Sequence, residues 1–136
     1  MTALADIIAA HADKEGPLLP ILNDVQAVFG YVSEEAVREV AAALNLTRAE
    51  VHGVVSFYHD FRKEPETRRI VKLCRAEACQ ARGVDALLAD IGETPRVKIE
   101  TVYCLGLCSV GPAAMVGENV HARLDAERLT ALMASA

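Results

Sequence analysis

Four cysteines in two close pairs constrain this chain more than any other feature of its 136 residues. Cys74 and Cys79 enclose Arg-Ala-Glu-Ala, a C-x4-C spacing, and Cys104 and Cys108 enclose Leu-Gly-Leu, a C-x3-C spacing. Twenty-four residues separate the pairs. Each pair falls just beyond a segment that reads as a strand. Residues 70–73 (Ile-Val-Lys-Leu) end at Cys74, and residues 97–102 (Val-Lys-Ile-Glu-Thr-Val) alternate and end near Cys104. If the two strands leave the sheet at one end, the four thiols converge.

The pattern around them supplies that topology. Val84, Leu87, Leu88 and Ile91 mark one face of a helix that Gly92 stops, with Cys79 at or just before its start. Residues 113–116 and 120–123 bracket Gly117-Glu118-Asn119, a hairpin signal. Asp125 is placed to cap a last helix with Leu129, Leu132 and Met133 inward. The order is β-α-β then β-β-α, the thioredoxin-like order, and predicts a small sheet with a helix on each side. Pro112, before the third strand, is a candidate cis-proline, although X–Pro bonds are mostly trans.

The first half reads differently. Leu4, Ile7, Ile8 and His11 make a short helical stripe, and Gly16-Pro17 breaks it. Leu18, Leu22, Val25 and Phe29 repeat at helical spacing up to Gly30. Ser33 is placed to cap a helix with Val37, Val40, Ala41 and Leu44 on one face. Thr47 and Glu50 form a capping-box signature, with Leu46 and Val51 as its hydrophobic staple. A fourth helix runs through Val54, Val55 and Tyr58. The polar stretch 62–69, containing Pro65, reads as a linker. The fold class expected is α+β: a helical bundle over 1–64 and a thioredoxin-like domain over 68–136.

Composition narrows what the cysteines do. The chain is 52% hydrophobic and 24% charged, which excludes a disordered chain, and its 23 alanines suit helices. A domain of this length needs no disulfide staples. The net charge of −5, with no basic stripe, speaks against nucleic acid. No apolar run approaches the roughly 18 residues of a membrane span. The N-terminus carries Asp6 and no basic n-region, so no signal peptide is expected and the cytoplasm is the expected compartment. In a reducing compartment, paired cysteines point to metal or redox chemistry.

Soft thiolates hold zinc, copper(I) or iron–sulfur clusters. Structural zinc favours tighter knuckles, with C-x2-C the commonest. A [2Fe–2S] cluster is broader and takes two cysteines per iron, so the x4 and x3 loops suit it better. Gly106 and Gly111 near the second pair let backbone amides approach an anionic cluster. Inert core cysteines, a redox disulfide and zinc are the competing readings. Histidines offer less: His52 and His59 share a helix face by spacing, and His11 and His121 are isolated. Phe57, Tyr58 and Phe61 are expected in the core. Phosphate-binding, nucleotide-binding, serine-hydrolase and zinc-protease motifs are missing from the sequence, so no catalytic residue is assigned. A cluster without a substrate site describes an electron relay.

The N-terminal helices, residues 51–58 (Val-His-Gly-Val-Val-Ser-Phe-Tyr), the C-x4-C and the C-x3-C together resemble the thioredoxin-like [2Fe–2S] subunit family, over nearly the whole chain. The resemblance implies one [2Fe–2S] cluster with Cys74, Cys79, Cys104 and Cys108 as ligands, and a partner flavoprotein holding FMN and reacting with NAD(H). The family includes small subunits of respiratory complex I (NADH:quinone oxidoreductase), of NAD-linked hydrogenases and of NAD-dependent formate dehydrogenase. The stretches 73–83 and 109–116, and the short C-terminus, resemble the gamma subunit of the formate dehydrogenase most. That implies a non-catalytic electron-transfer subunit beside a larger molybdenum- or tungsten-containing subunit. A zinc-stabilised thioredoxin-like interaction module is the alternative from another class.

Overall fold

The computed structural model describes residues 2–92 and 95–135. The chain divides into two units, Met1–Glu66 and Thr67–Ala136.

The first unit is helical: α1 (Thr2–Ala10), α2 (Leu18–Phe29), α3 (Glu34–Leu44) and α4 (Arg48–Phe57). Its ends follow local chemistry. Gly30 adopts φ 83° and donates its N–H to the Gln26 carbonyl, closing α2. The Ser33 hydroxyl accepts from the Ala36 N–H and opens α3. The capping box at α4 is complete: the Glu50 N–H donates to Thr47 Oγ1 (3.1 Å), and the Thr47 N–H donates to the Glu50 carboxylate (2.7 Å). Ile21, Leu22, Val25, Val37, Val40, Val51 and Val55 form the core. Gln26 fastens the segment after α4, donating to the Asp60 carbonyl and accepting from the Arg62 N–H.

Two expectations for this unit are corrected. Phe29 is exposed, and Ile21 takes its place in the core. Phe57 is 69% exposed and Tyr58 45%; of the three aromatics only Phe61 is buried. Tyr58 is extended where α4 stops, so the helix stripe no longer governs where its ring points.

The second unit contains β1 (Arg69–Cys74), α5 (Glu77–Ala81), α6 (Val84–Ile91), β2 (Val97–Val102), β3 (Ala114–Val116), β4 (Asn119–His121) and α7 (Ala126–Ser135), with one 3-10 turn at Cys108–Val110. The sheet order is β2-β1-β3-β4. β1 pairs parallel to β2, and β3 pairs antiparallel to both β1 and β4. Alternation on β1 puts Val71 and Leu73 into a core with Val84 and Leu87 of α6 and Leu129 and Met133 of α7. The Arg128 N–H donates to Asp125 at 2.8 Å, capping α7.

Here too the pattern needs correction. The single helix expected after β1 is two, because Gly83 turns the chain at φ 92° between α5 and α6. Cys79 lies inside α5 and not at its start. The helices do not flank the sheet: α6 and α7 touch one another and share one core on one face. On the neighbouring strand positions Ile70, Lys72, Lys98, Glu100 and Met115 stay half-buried, and Lys98 lies 3.6 Å from Glu100.

Leu22 is fully buried, so Leu22→Ala is expected to cost about 2–5 kcal/mol. Chemical denaturation followed by circular dichroism measures it. The hydrogen bonds from Thr47 hold the Glu50 carboxyl below its ordinary range, against a small opposing effect of burial. A depressed carboxyl stabilises the fold above its unfolded pKa, and that stabilisation disappears as pH falls through the folded value. Glu50→Gln is expected to flatten this acid limb of the stability–pH curve.

Candidate metal centre

The parallel register of β1 and β2 pairs Cys74 with Val102, so the two strands end level and side by side. The loops carrying the four cysteines therefore leave the same sheet end. The Arg75 N–H donates to the Val102 carbonyl at 2.9 Å, and the Cys74 N–H to the Ala113 carbonyl at 2.9 Å. These bonds tie the first cysteine loop to β2 and to the segment before β3.

The second loop turns sharply. Cys104 has φ 75° and Gly106 φ 79°. A non-glycine residue in the left-handed region costs on the order of 1–2 kcal/mol, so the surroundings must hold Cys104 there. One contact that does so is its own N–H, which donates to Cys74 Sγ at 3.3 Å. Cys108 starts the 3-10 turn, which packs against α5. The Arg123 N–H donates to the Val110 carbonyl (2.7 Å) and the Leu124 N–H to that of Pro112 (3.1 Å), so the segment after β4 holds the far side of the loop. The Gly111–Pro112 bond is cis.

All four cysteines are free thiols and neighbours of one another. Cys104 Sγ and Cys108 Sγ lie 3.6 Å apart and are exposed. Cys74 and Cys79 are each 2% exposed, and each thiol acts on the protonation of the other. Burial pushes the Cys74 thiol up, but N–H groups of Ala76, Cys104 and Leu105 and the Cys79 thiol outweigh it and hold Cys74 below its ordinary value. Cys79 is pushed up by burial and by Cys74, with the Ala113 N–H opposing. The Cys104 thiol raises that of Cys108. Among the described residues no three His, Cys, Asp or Glu side chains gather around one point as a single ion requires. The sulfurs stand as two pairs.

This donor set suits a [2Fe–2S] cluster. Four soft sulfurs in two pairs offer two per iron, and the Cys104 N–H already donates to Cys74 Sγ at 3.3 Å. The glycines divide the work. Gly106 supplies a positive φ with open space around it, while Gly111 supplies clearance: a Cβ there would lie 3.0 Å from Cys79 Sγ. The sequence signals both glycines but not which does which, and it carries no sign of the left-handed Cys104.

Three of the four histidines belong to the first unit. His52 and His59 are exposed, with His59 beyond the end of α4. His11 is buried against Asp24, Nε2 to Oδ2 2.6 Å, and its Nδ1 has no partner among the described residues.

Fold and site together describe an iron–sulfur protein built on a thioredoxin-like sheet. The chain belongs to the thioredoxin-like [2Fe–2S] ferredoxin family, whose description matches residues 4–136, and one [2Fe–2S] cluster is its cofactor. It is 33% identical to the HndA subunit of the NADP-reducing hydrogenase of Solidesulfovibrio fructosivorans, over 96% of this chain and 83% of that protein. It is also 33% identical to a subunit of the NADH-quinone oxidoreductase of Rhizobium meliloti (strain 1021), over 99% of this chain and 89% of that one. Among solved structures it is similar to an NAD+-reducing [NiFe]-hydrogenase in the air-oxidised state, with a TM-score of 0.70 and 27% identity. That match covers 88% of this chain but only 22% of the hydrogenase chain. No described helix is long and apolar enough to cross a membrane.

Gly111 has φ −64°, which any residue adopts, so Gly111→Ala tests clearance alone. Its methyl would also meet Arg82 Cδ at 3.4 Å, so Cys79 Sγ must give by a few tenths of an ångström. The expected result is lowered iron and sulfide content at unchanged helix content.

Proposed function

We propose that Cys74, Cys79, Cys104 and Cys108 are the four ligands of the [2Fe–2S] cluster, each close pair serving one iron. The observation that carries this is the meeting of the two loops, with the Cys104 N–H on Cys74 Sγ at 3.3 Å and the Cys104 and Cys108 sulfurs 3.6 Å apart. The bound cluster accepts and returns one electron at a time. The protein's residues set the conditions. Cys74 and Cys79 anchor the inner side, where N–H groups offset the negative charge of the sulfurs. Cys104 and Cys108 reach solvent and form the edge that a redox partner meets.

The same reading makes the chain a non-catalytic electron-transfer subunit of an NAD(P)-linked oxidoreductase. Its partner is a flavoprotein subunit that binds FMN and NAD(H), because flavin chemistry splits the hydride's electron pair into single electrons that a cluster takes. The printed names of the relatives, a hydrogenase subunit and a quinone oxidoreductase subunit, support that class. Within it we favour NAD-dependent formate dehydrogenase, with a molybdenum- or tungsten-containing catalytic subunit. The support is the resemblance of residues 73–83 and 109–116 to its gamma subunit. The relatives' names favour the hydrogenase and complex I alternatives.

Anaerobically purified protein is expected to be reddish-brown, to hold two irons and two sulfides per chain, and to give an EPR signal on one-electron reduction. Each single Cys→Ala variant is expected to lose most of its cluster. Full retention in Cys79→Ala or Cys104→Ala would overturn four-cysteine ligation, and a colourless zinc protein would overturn the cluster. Pull-down from native cells separates the host complexes. Formate-dependent NAD reduction supports the favoured host, whereas recovery with hydrogenase or quinone reductase subunits replaces it.

A further inference from the structure

The two cysteine pairs differ in what can reach them. Cys104 and Cys108 are exposed, whereas Cys74 and Cys79 are buried. The sulfurs of the outer pair also lie 3.6 Å apart. A disulfide brings its sulfurs to about 2.05 Å, so a short closure of the loop joins them. The loop has room for that closure. Gly106, the middle of the three residues between them, has φ 79° and no atom within 4 Å of where a Cβ would sit. The inner pair is covered. Cys74 Sγ is engaged by the Cys104 N–H at 3.3 Å, and Gly111 packs so closely on Cys79 Sγ that a Cβ there would lie 3.0 Å away.

We propose that in the cluster-free chain Cys104 and Cys108 are a reversible modification site: exchange with a small disulfide such as oxidised glutathione joins them as a disulfide, which blocks cluster insertion until a thiol reductant reopens it. The chemistry runs in two displacements. One outer thiol attacks the small disulfide, forming a mixed disulfide and releasing one glutathione thiol. The second outer thiol then attacks the mixed disulfide, forms the Cys104–Cys108 bond and releases the other glutathione thiol. The two cysteines lose two electrons and two protons, and oxidised glutathione gains both. The short sulfur separation favours the second displacement, so the mixed disulfide does not accumulate. The bond itself stands on exposure and sulfur distance. The block to insertion rests on the reading of Cys104 and Cys108 as ligands, because a sulfur held in a disulfide has no thiolate to give to iron.

The test uses the full-length chain, freed of iron by a chelator under argon, shown folded by circular dichroism and incubated with oxidised glutathione. Remaining thiols are alkylated and the protein is digested with trypsin, which isolates the outer pair in peptide 99–123 and leaves Cys74 and Cys79 in two others. Mass spectrometry is expected to find peptide 99–123 lighter by two hydrogen atoms than its reduced form, with Cys74 and Cys79 free of glutathione. The oxidised chain is expected to take up little iron and sulfide until dithiothreitol is added. Cys104→Ser and Cys108→Ser are each expected to retain glutathione on the remaining outer thiol, since no second thiol displaces it. A bond to Cys74 or Cys79, stable glutathione on the wild-type outer pair, or no reaction at all would overturn the modification site. A disulfide that forms yet leaves cluster uptake unchanged would overturn the block. Failure of the ligand reading shows separately, as full cluster retention in Cys104→Ala.

Discussion

The parallel pairing of β1 with β2 is the constraint on which the site depends. A register that sets Cys74 opposite Val102 makes two strands, separated in sequence by two helices, end at the same level. A slip by one residue would turn each side chain of β1 to the other face and move Val71 and Leu73 out of the core. The buried face therefore fixes the register, and the register fixes where the cysteine loops begin. The cysteine site inherits its position from the packing of an aliphatic core in which Cys74 and Cys79 are themselves buried.

The site is asymmetric. Cys74 and Cys79 are buried, and Cys74 Sγ accepts from the Cys104 N–H, whereas Cys104 and Cys108 ride an exposed loop. On the proposed four-cysteine ligation, the amide donor offsets the cluster's charge and the open edge brings it within reach of another molecule. The left-handed backbone at Cys104 reflects the same compromise. Its thiol is exposed while its N–H turns inward onto Cys74 Sγ.

Much of this is readable in the residues, for identifiable reasons. Capping is local chemistry, so Ser33, Thr47, Glu50 and Asp125 act as their positions imply. Strand alternation marks β1 and β2, and the cysteine spacing points to a cluster. The departures share a cause. The helix carrying the Val84–Ile91 stripe is expected to start near Cys79 because periodicity cannot register the turn at Gly83. Phe57 and Tyr58 read as core because aromatic residues at a helix end look buried until the chain direction beyond the helix is known. The arrangement of α6 and α7 on one face follows from three-dimensional crossover geometry, which no single segment encodes.

The sequence by itself determined most of the local elements, the thiol chemistry and the family, because each is carried by residues close together or by spacing along the chain. Tertiary structure alone decided which glycine clears Cys79, that Cys104 turns left-handed, and which thiols are buried. Each of these depends on the meeting of atoms from different segments. Their distances are set by sheet register and helix packing, and these long-range contacts leave no mark on the residues either side of them.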